Sequence, residues 1–228
     1  TRTIHHDYFI NRLVSLHPAV NFQVILEEIQ APLVSKFDVQ RDDYEMDRWA
    51  MHRMDRRING EVVASFESLN SGDAVRLVDR LDFDLCLVFG TTILKQPMVN
   101  ILNSRKVFNF HGGDSERYRG LDSHFWAIYH SDFDAISVTL HCLETGIDTG
   151  KILFKSEVGL NQSMALYMLR SKTTEVCVEM AKLLIAAIDN EILLPTATQI
   201  ERGRYYSSFP LSHYDILERK LADFIDES

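Results

Sequence analysis

In the run VFNFHGGDSERYRGLDSHFWAIYHSDF, residues 107–133, an apolar strand carries Asn109 and His111 two positions apart at its carboxyl end. Alternation along a strand points both side chains the same way, so they can converge on one reacting atom. An amide can donate a hydrogen bond to a developing oxyanion, and an imidazole of near-neutral pKa can move a proton. Together they suit acyl transfer. The carboxylate that would complete the set is Asp148, which lies between Gly146 and Gly150 in the turn TGIDTG. Glycines there let the backbone fold tightly and approach a ligand, and the carboxylate can orient the imidazole or relay its proton.

Other side chains carry two readings each. Tyr118 and Arg119 either line an acceptor pocket, where an arginine suits a phosphate or carboxylate, or pack within the fold. His124, next to Asp122, either places acceptor or cofactor or caps a helix. Trp49, among Arg48, Arg53, Arg56 and Arg57, belongs to a solvated helix or stacks on a nucleotide. His5, His6, His17, His52, His130, His141 and His213 show no ligand spacing and read as surface or core residues, so no metal is expected.

The elements that must position these residues read as α/β. A helix over residues 7–15 precedes a strand over 22–27. A polar, basic stretch follows over 36–62. Ser71 or Asn70 then caps a helix over 73–81, and a continuous apolar strand over 85–89 closes at Gly90. Such a run, buried on both faces, is what a parallel sheet requires. TTILKQPMVNIL supplies a crossover helix to the strand KVFNFH. Residues 125–130 read as helical. In AISVTLHCLE, Ile136, Val138, Leu140 and Cys142 share one face and Ser137, Thr139 and His141 the other, predicting a half-buried strand in an antiparallel hairpin with residues 151–154 across the Asp148 turn. A long helix runs from Ser163 towards Asn190, with Leu166, Leu169, Val176, Met180, Leu183 and Ala187 on one side. A final amphipathic helix is expected near the carboxyl end.

The whole chain bounds the function. Its 228 residues suffice for one substantial core, and 46% hydrophobic with 25% charged residues is globular composition. A net charge of −9 and a pI near 5.4 argue against a nucleic-acid partner. Cys86, Cys142 and Cys177 are odd in number and each sits in an apolar run, which suits reduced thiols in the cytoplasm. No apolar stretch reaches membrane-spanning length, and no signal peptide is visible, so no membrane association is expected. A ligand-binding α/β sheet normally opens on a strand, whereas Thr1 stands just before a helix, so a first strand is expected upstream of it.

The stretch FNFHGGDSERYRGLDSHFWAIYHSDFDAISVTLHCLETGIDTGKIL resembles the catalytic core of the 10-formyltetrahydrofolate-dependent formyltransferases, a family that acts on methionyl-tRNA, glycinamide ribonucleotide and amino sugars. The ordered elements are Asn109-Phe110-His111, Tyr118-Arg119-Gly120, Trp126-Ala127-Ile128 and Asp148-Thr149-Gly150. The resemblance implies a Rossmann-like formyltransferase fold with a mostly parallel sheet, helices on both faces and an antiparallel hairpin near the catalytic aspartate. It implies a catalytic domain over residues 1–195, with residues 196–228 packing on that domain or at a dimer interface. It also implies a folate pocket beside Gly90, Thr92, Ile93, Leu94 and Val99, whose backbone meets the pterin, closed by Leu143, Gly146 and Ile147. Tyr118, Arg119 and His124 fall on the acceptor side. The implied co-substrate is 10-formyltetrahydrofolate, with Asn109 and protonated His111 stabilising an oxyanion and Asp148 moving the proton of a small-molecule amine. A nucleotide-linked amino sugar is the first acceptor class. A hydroxyornithine-type amine, formyl hydrolysis and a non-catalytic folate binder stay open. Where the family commonly has Pro-Ser-Leu-Leu-Pro after the histidine, this chain has Gly112-Gly113-Asp114-Ser115-Glu116-Arg117, so acceptor contacts do not transfer directly.

Overall fold

The computed structural model describes residues 3–28, 35–50 and 61–227. Along the chain these form α1 (Ile4–Leu16), β1 (Gln23–Glu27), α2 (Lys36–Arg48), β2 (Glu61–Phe66), α3 (Gly72–Arg80), β3 (Cys86–Val88), α4 (Gln96–Leu102), β4 (Val107–His111) and β5 (Tyr118–Gly120). Then come α5 (Ser123–Tyr129), β6 (Ser137–Cys142), β7 (Ile152–Glu157), α6 (Leu169–Asp189), β8 (Arg204–Tyr206) and α7 (Tyr214–Glu227). Local chemistry sets several boundaries. Ser35 and Asp38 form a reciprocal capping box on α2, the Ser71 hydroxyl accepts from the Ala74 N–H to open α3, and Pro97 stands in the first turn of α4.

The central sheet runs β3-β4-β6-β7. Its first pair is parallel, while β6 runs antiparallel to both β4 and β7, so the expected hairpin closes around the Asp148 turn. The β1–β2 and β5–β8 pairs are parallel. The fold is therefore α/β, with parallel pairing dominant among the described strands. One face of the central sheet, with Phe110, Val138 and Leu140, joins a core built with α1, α6 and α7 through Phe9, Leu13, Val178 and Leu217. On the opposite face Val88 and Val107 pack with Ala74, Val78, Met98 and Leu102 of α3 and α4. Strand alternation puts Asn109 and His111 on the second face, where the apolar packing gives way to polar groups.

Four expectations change. Strand β6 is buried on both faces rather than half-buried, because the loop after β4 covers its polar side. Strand β2 arises at the end of the stretch that reads as polar, and it pairs with β1. On α6, Leu183 is exposed, whereas Leu169, Met180 and Ala187 are buried. Trp49 does not offer its ring to a nucleotide: it is 3% exposed and stacks on Tyr8 with centroids 4.2 Å apart. Of its neighbouring arginines, Arg48 pairs with Glu175 at 2.6 Å, and Arg53, Arg56 and Arg57 lie outside the described residues. No helix among the described residues is long and apolar enough to cross a membrane.

Helix α2 is tied to the core by charge. Glu45 is fully buried and accepts two hydrogen bonds from Arg170, at 2.7 and 2.6 Å, while Arg170 also reaches Asp42 at 2.7 Å. Removing the arginine strands a buried carboxylate. Arg170→Met is expected to lower unfolding stability by about 3 kcal/mol in urea denaturation, and Arg170→Met with Glu45→Met to recover much of that loss. Equal stability of Arg170→Met and the parent would refute this account of the helix anchor.

Candidate active site

The antiparallel register of β4 and β6 sets Asn109 opposite His141 and His111 opposite Thr139. These four side chains share one face. The Asp148 carboxylate hangs over them from the β6–β7 loop, with one oxygen 3.3 Å from His111 Nδ1 and the other 3.4 Å from His141 Nε2. The Gly120 N–H donates to the first of these oxygens at 2.8 Å. The structure thus brings Asn109, His111 and Asp148 together, and adds His141.

Partners fix the proton positions on the two rings. His141 Nδ1 faces the Cys142 carbonyl at 2.8 Å and so carries a proton, while Nε2 lies 3.2 Å from the Asn109 amide nitrogen and 3.4 Å from Asp148, accepting from the amide in the neutral ring and donating to the carboxylate in the charged one. His111 Nε2 faces the Tyr118 carbonyl at 2.8 Å and also carries a proton. Its Nδ1 faces a carboxylate, so only the doubly protonated imidazole donates on both sides. Burial pushes the His111 pKa down, and the Asp148 charge and the Tyr118 carbonyl oppose that shift. Burial alone would raise the Asp148 pKa; the hydrogen bond from His141, the His111 charge and the Gly120 N–H overcome it and hold it below the usual carboxylate range. Asp148 is thus held anionic beside an imidazole that burial disposes to stay neutral.

The loop after β4 is built to lie over this face. Thr139 Oγ1 donates to the Gly113 carbonyl at 2.7 Å and accepts from the Ser115 N–H at 3.3 Å. Lys155, opposite Thr139 on β7, pairs with buried Asp114 at 2.6 Å. A side chain at Gly113 would stand 2.6 Å from Ser123 Cβ and 2.8 Å from His111 Nε2, which explains why this loop carries glycine there. Gly120 has a φ of 91°, and a side chain there would meet the Tyr206 carbonyl at 2.3 Å.

The residues expected on the acceptor side turn inward instead. The Tyr118 hydroxyl donates to Asp132 at 3.1 Å, and its ring stacks on Tyr206. Arg119 is 6% exposed and donates to the Ser115 carbonyl and to Gln199. His124 neither caps its helix nor faces an acceptor: it is buried, its Nε2–H donates to the Ser137 carbonyl at 2.6 Å, and Asp122 holds the N-cap position. Their polar ends are satisfied by the protein, which for Tyr118 and Arg119 is the packing alternative.

On the expected folate side, Gly90, Thr92 and Ile93 are exposed, Leu94 and Leu143 pack on the same apolar cluster, and Gly146 and Ile147 lie on the opposing turn. Val99 is fully buried on α4 and presents no surface to a ligand. The segment is held from behind by two residues whose role the sequence does not announce. Glu27, at the end of β1, accepts from Thr92 N at 2.8 Å, from Thr92 Oγ1 at 2.7 Å and from Leu69 N at 3.1 Å. Asn70 donates to the Ile93 carbonyl at 3.0 Å and accepts from Lys95 N at 2.6 Å. Two backbone groups that the resemblance assigns to the pterin are thus engaged from within. His141 was legible in principle: Ser137, Thr139 and His141 form a polar row whose register sets it against Asn109 and His111.

No protein-family model matches the sequence. Methionyl-tRNA formyltransferases of Rickettsia typhi and Rickettsia prowazekii are 28% and 29% identical over 128 residues, 56% of this chain. The chain spans 42% of the length of these curated relatives. A 4-N formyltransferase from Francisella tularensis superposes over 96% of this chain and 84% of its own, with a TM-score of 0.63 at 16% identity. The chain has the formyltransferase fold. Glycinamide ribonucleotide transformylase 1 from Symbiobacterium toebii gives a TM-score of 0.57 over 87% of this chain and 90% of its own at 16% identity. The formyltransferase PseJ from Anoxybacillus kamchatkensis, in complex with UDP-4,6-dideoxy-4-formamido-L-AltNAc and tetrahydrofolate, gives 0.55 over 86% and 89% at 17% identity. Sequence and structure agree that this formyltransferase-fold chain is a relative of the formyltransferases.

The buried imidazoles of this fold make it acid-sensitive. His124 is pushed down to about 4 by burial, against the pull of the Ser137 carbonyl. Because its folded pKa lies below the unfolded value, the unfolded chain takes up the proton first as pH falls. Stability is full above the unfolded pKa of about 6.5 and declines below it. His124→Gln removes this titration. Urea unfolding between pH 6.5 and 5 is expected to show the parent losing about 2 kcal/mol more than the variant. Parallel losses would contradict the assignment.

Proposed function

We propose that the chain transfers a formyl group from 10-formyltetrahydrofolate to an amine of a small molecule, with a nucleotide-linked amino sugar as the acceptor class. The carrying observation is the convergence of Asn109, His111 and Asp148 on one sheet face, at the spacing of the formyltransferase pattern. The Anoxybacillus protein, which superposes over most of this chain and is in complex with a UDP-linked formamido sugar, supports the amino-sugar class. The chain's net charge of −9 favours a small acceptor over a nucleic acid. Three free cysteines fit a reducing, cytoplasmic setting.

The residues present fit the folate. Exposed Ile93 and half-buried Ile147 offer apolar contact on two sides, and the donor set at the end of β4 suits an acyl oxygen. Gly90, Thr92, Ile93, Leu94, Leu143, Gly146 and Ile147 would hold it. Bound there, it supplies the formyl group. Asn109 is partly exposed, and its amide has a second hydrogen beyond the one given to His141, free to meet an oxyanion. Protonated His111, whose two N–H groups face the Tyr118 carbonyl and Asp148, would add positive charge beside that oxyanion. Asp148, kept anionic by its neighbours, would draw a proton from the incoming amine through water and return it to the leaving nitrogen of the co-substrate. Among the described residues no group of three or more His, Cys, Asp or Glu side chains is arranged to hold a metal ion.

Tetrahydrofolate formation from 10-formyltetrahydrofolate, followed by absorbance, tests the proposal against nucleotide amino sugars, hydroxyornithine and a no-amine control. Amine-dependent turnover with a nucleotide amino sugar is expected. Asn109→Ala and Asp148→Asn should each lose about 100- to 1,000-fold in kcat while folate still raises the Tm. Release of formate with no amine would replace transfer by hydrolysis, and near-parental turnover of either variant would refute the site.

A further inference from the structure

We propose that Gln199, in the segment between α6 and β8, is the positioning residue that holds the Asp148 carboxylate in place against His111. The kinetic consequence rests on the formyl-transfer reading above; the geometry stands without it.

Gln199 makes three hydrogen bonds through one side chain. Its Nε2 donates to the Asp148 carbonyl at 2.9 Å and to the Gly150 carbonyl at 2.8 Å, while its Oε1 accepts from Arg119 at 2.7 Å. Arg119 donates in turn to the Ser115 carbonyl at 2.9 Å, so the clamp joins the turn bearing the carboxylate to the loop that follows His111. Two residues upstream, Ala197 exchanges both backbone hydrogen bonds with Ile152 at 2.8 Å, which fixes where Gln199 enters.

The turn needs holding. Asp148 has a φ of 52°, in the left-handed region that costs a residue with a Cβ free energy. Its carboxylate is useful only while it stands between two imidazoles, and a small backbone rotation would carry it away from both. A glutamine amide has the chemistry for this place: two hydrogens on one nitrogen meet the two carbonyls, and the oxygen meets a guanidinium. A glutamate would keep the charged partner and present only acceptors to those carbonyls. That difference separates positioning from simple attachment of the segment.

The test uses Gln199→Leu and Gln199→Glu in the full chain. The first readout is the titration of His111, followed by NMR with imidazole-labelled histidine and assigned by its loss in His111→Gln. The titratable groups facing His111 are Asp148 and His141, Asp114 on its own loop, and His124 on α5. Loosening Asp148 withdraws the nearby negative charge, so the His111 midpoint in Gln199→Leu is expected to fall by about half a pH unit or more. The second readout is kinetic: both variants are expected to lose about 10- to 100-fold in kcat, with KM for either substrate within about 3-fold. Gln199→Glu should keep the parental Tm because the contact with Arg119 survives. An unmoved midpoint in Gln199→Leu, or parental kcat in Gln199→Glu, would overturn the proposal. If Gln199→Leu does not fold, the kcat of Gln199→Glu decides; if the parent shows no turnover, the formyl-transfer reading fails and the midpoint alone decides.

Discussion

A buried carboxylate is the constraint on which the site depends. A charge placed among apolar and neutral groups is costly unless hydrogen bonds and opposite charge surround it. The surroundings of Asp148 read as that compensation: an imidazole on each oxygen, a backbone N–H from Gly120, and a turn braced at both carbonyls. Each of these contacts comes from a different part of the chain. The sheet register brings the imidazoles, β5 brings the N–H, and the segment before β8 brings the brace. The satisfaction of one anion thereby adds a side-chain link between the central sheet, β5 and the segment before β8.

The rim at Thr92 and Ile93 follows a similar logic with a different carboxylate. Glu27 closes β1 and gathers donors from the segments after β2 and β3, so two strand ends are locked to each other by a side chain rather than by ladder bonds. The result is a rigid rim, with Ile93 left at the surface. Rigidity there has value because a ligand that meets a preformed edge loses less freedom on binding than one that must order a loop.

Much of this was legible in the residues. The continuous apolar runs of β3 and β4, the capping serine of α3, and the Asn109, His111 and Asp148 set are local signals, and each maps onto the structure close to where it was read. What escaped reading is non-local. His141 looks like any strand histidine until its register against Asn109 is known. Trp49 looks solvated because its neighbours are charged, yet Tyr8 from another helix covers it. Arg119 has the chemistry of an anion site, and only the fold shows that Ser115 and Gln199 already occupy it. Strand β2 lacked its own signal because its pairing with β1 carries it. Residue type announces the chemistry; the partner is a property of the assembled chain.

The pairing of β5 with β8 carries a consequence for how the molecule is made. The two strands touch only after α5, β6, β7 and α6 have been laid down between them, and Tyr206, Trp126 and Phe209 then close over the join. Contacts between segments so far apart in the chain bear a large loop-closure entropy and form late. On a ribosome, the sheet and its row of polar side chains would already exist while the Asp148 turn still lacked its brace. A chain interrupted before residue 199 would lack the two hydrogen bonds with which Gln199 braces the Asp148 turn.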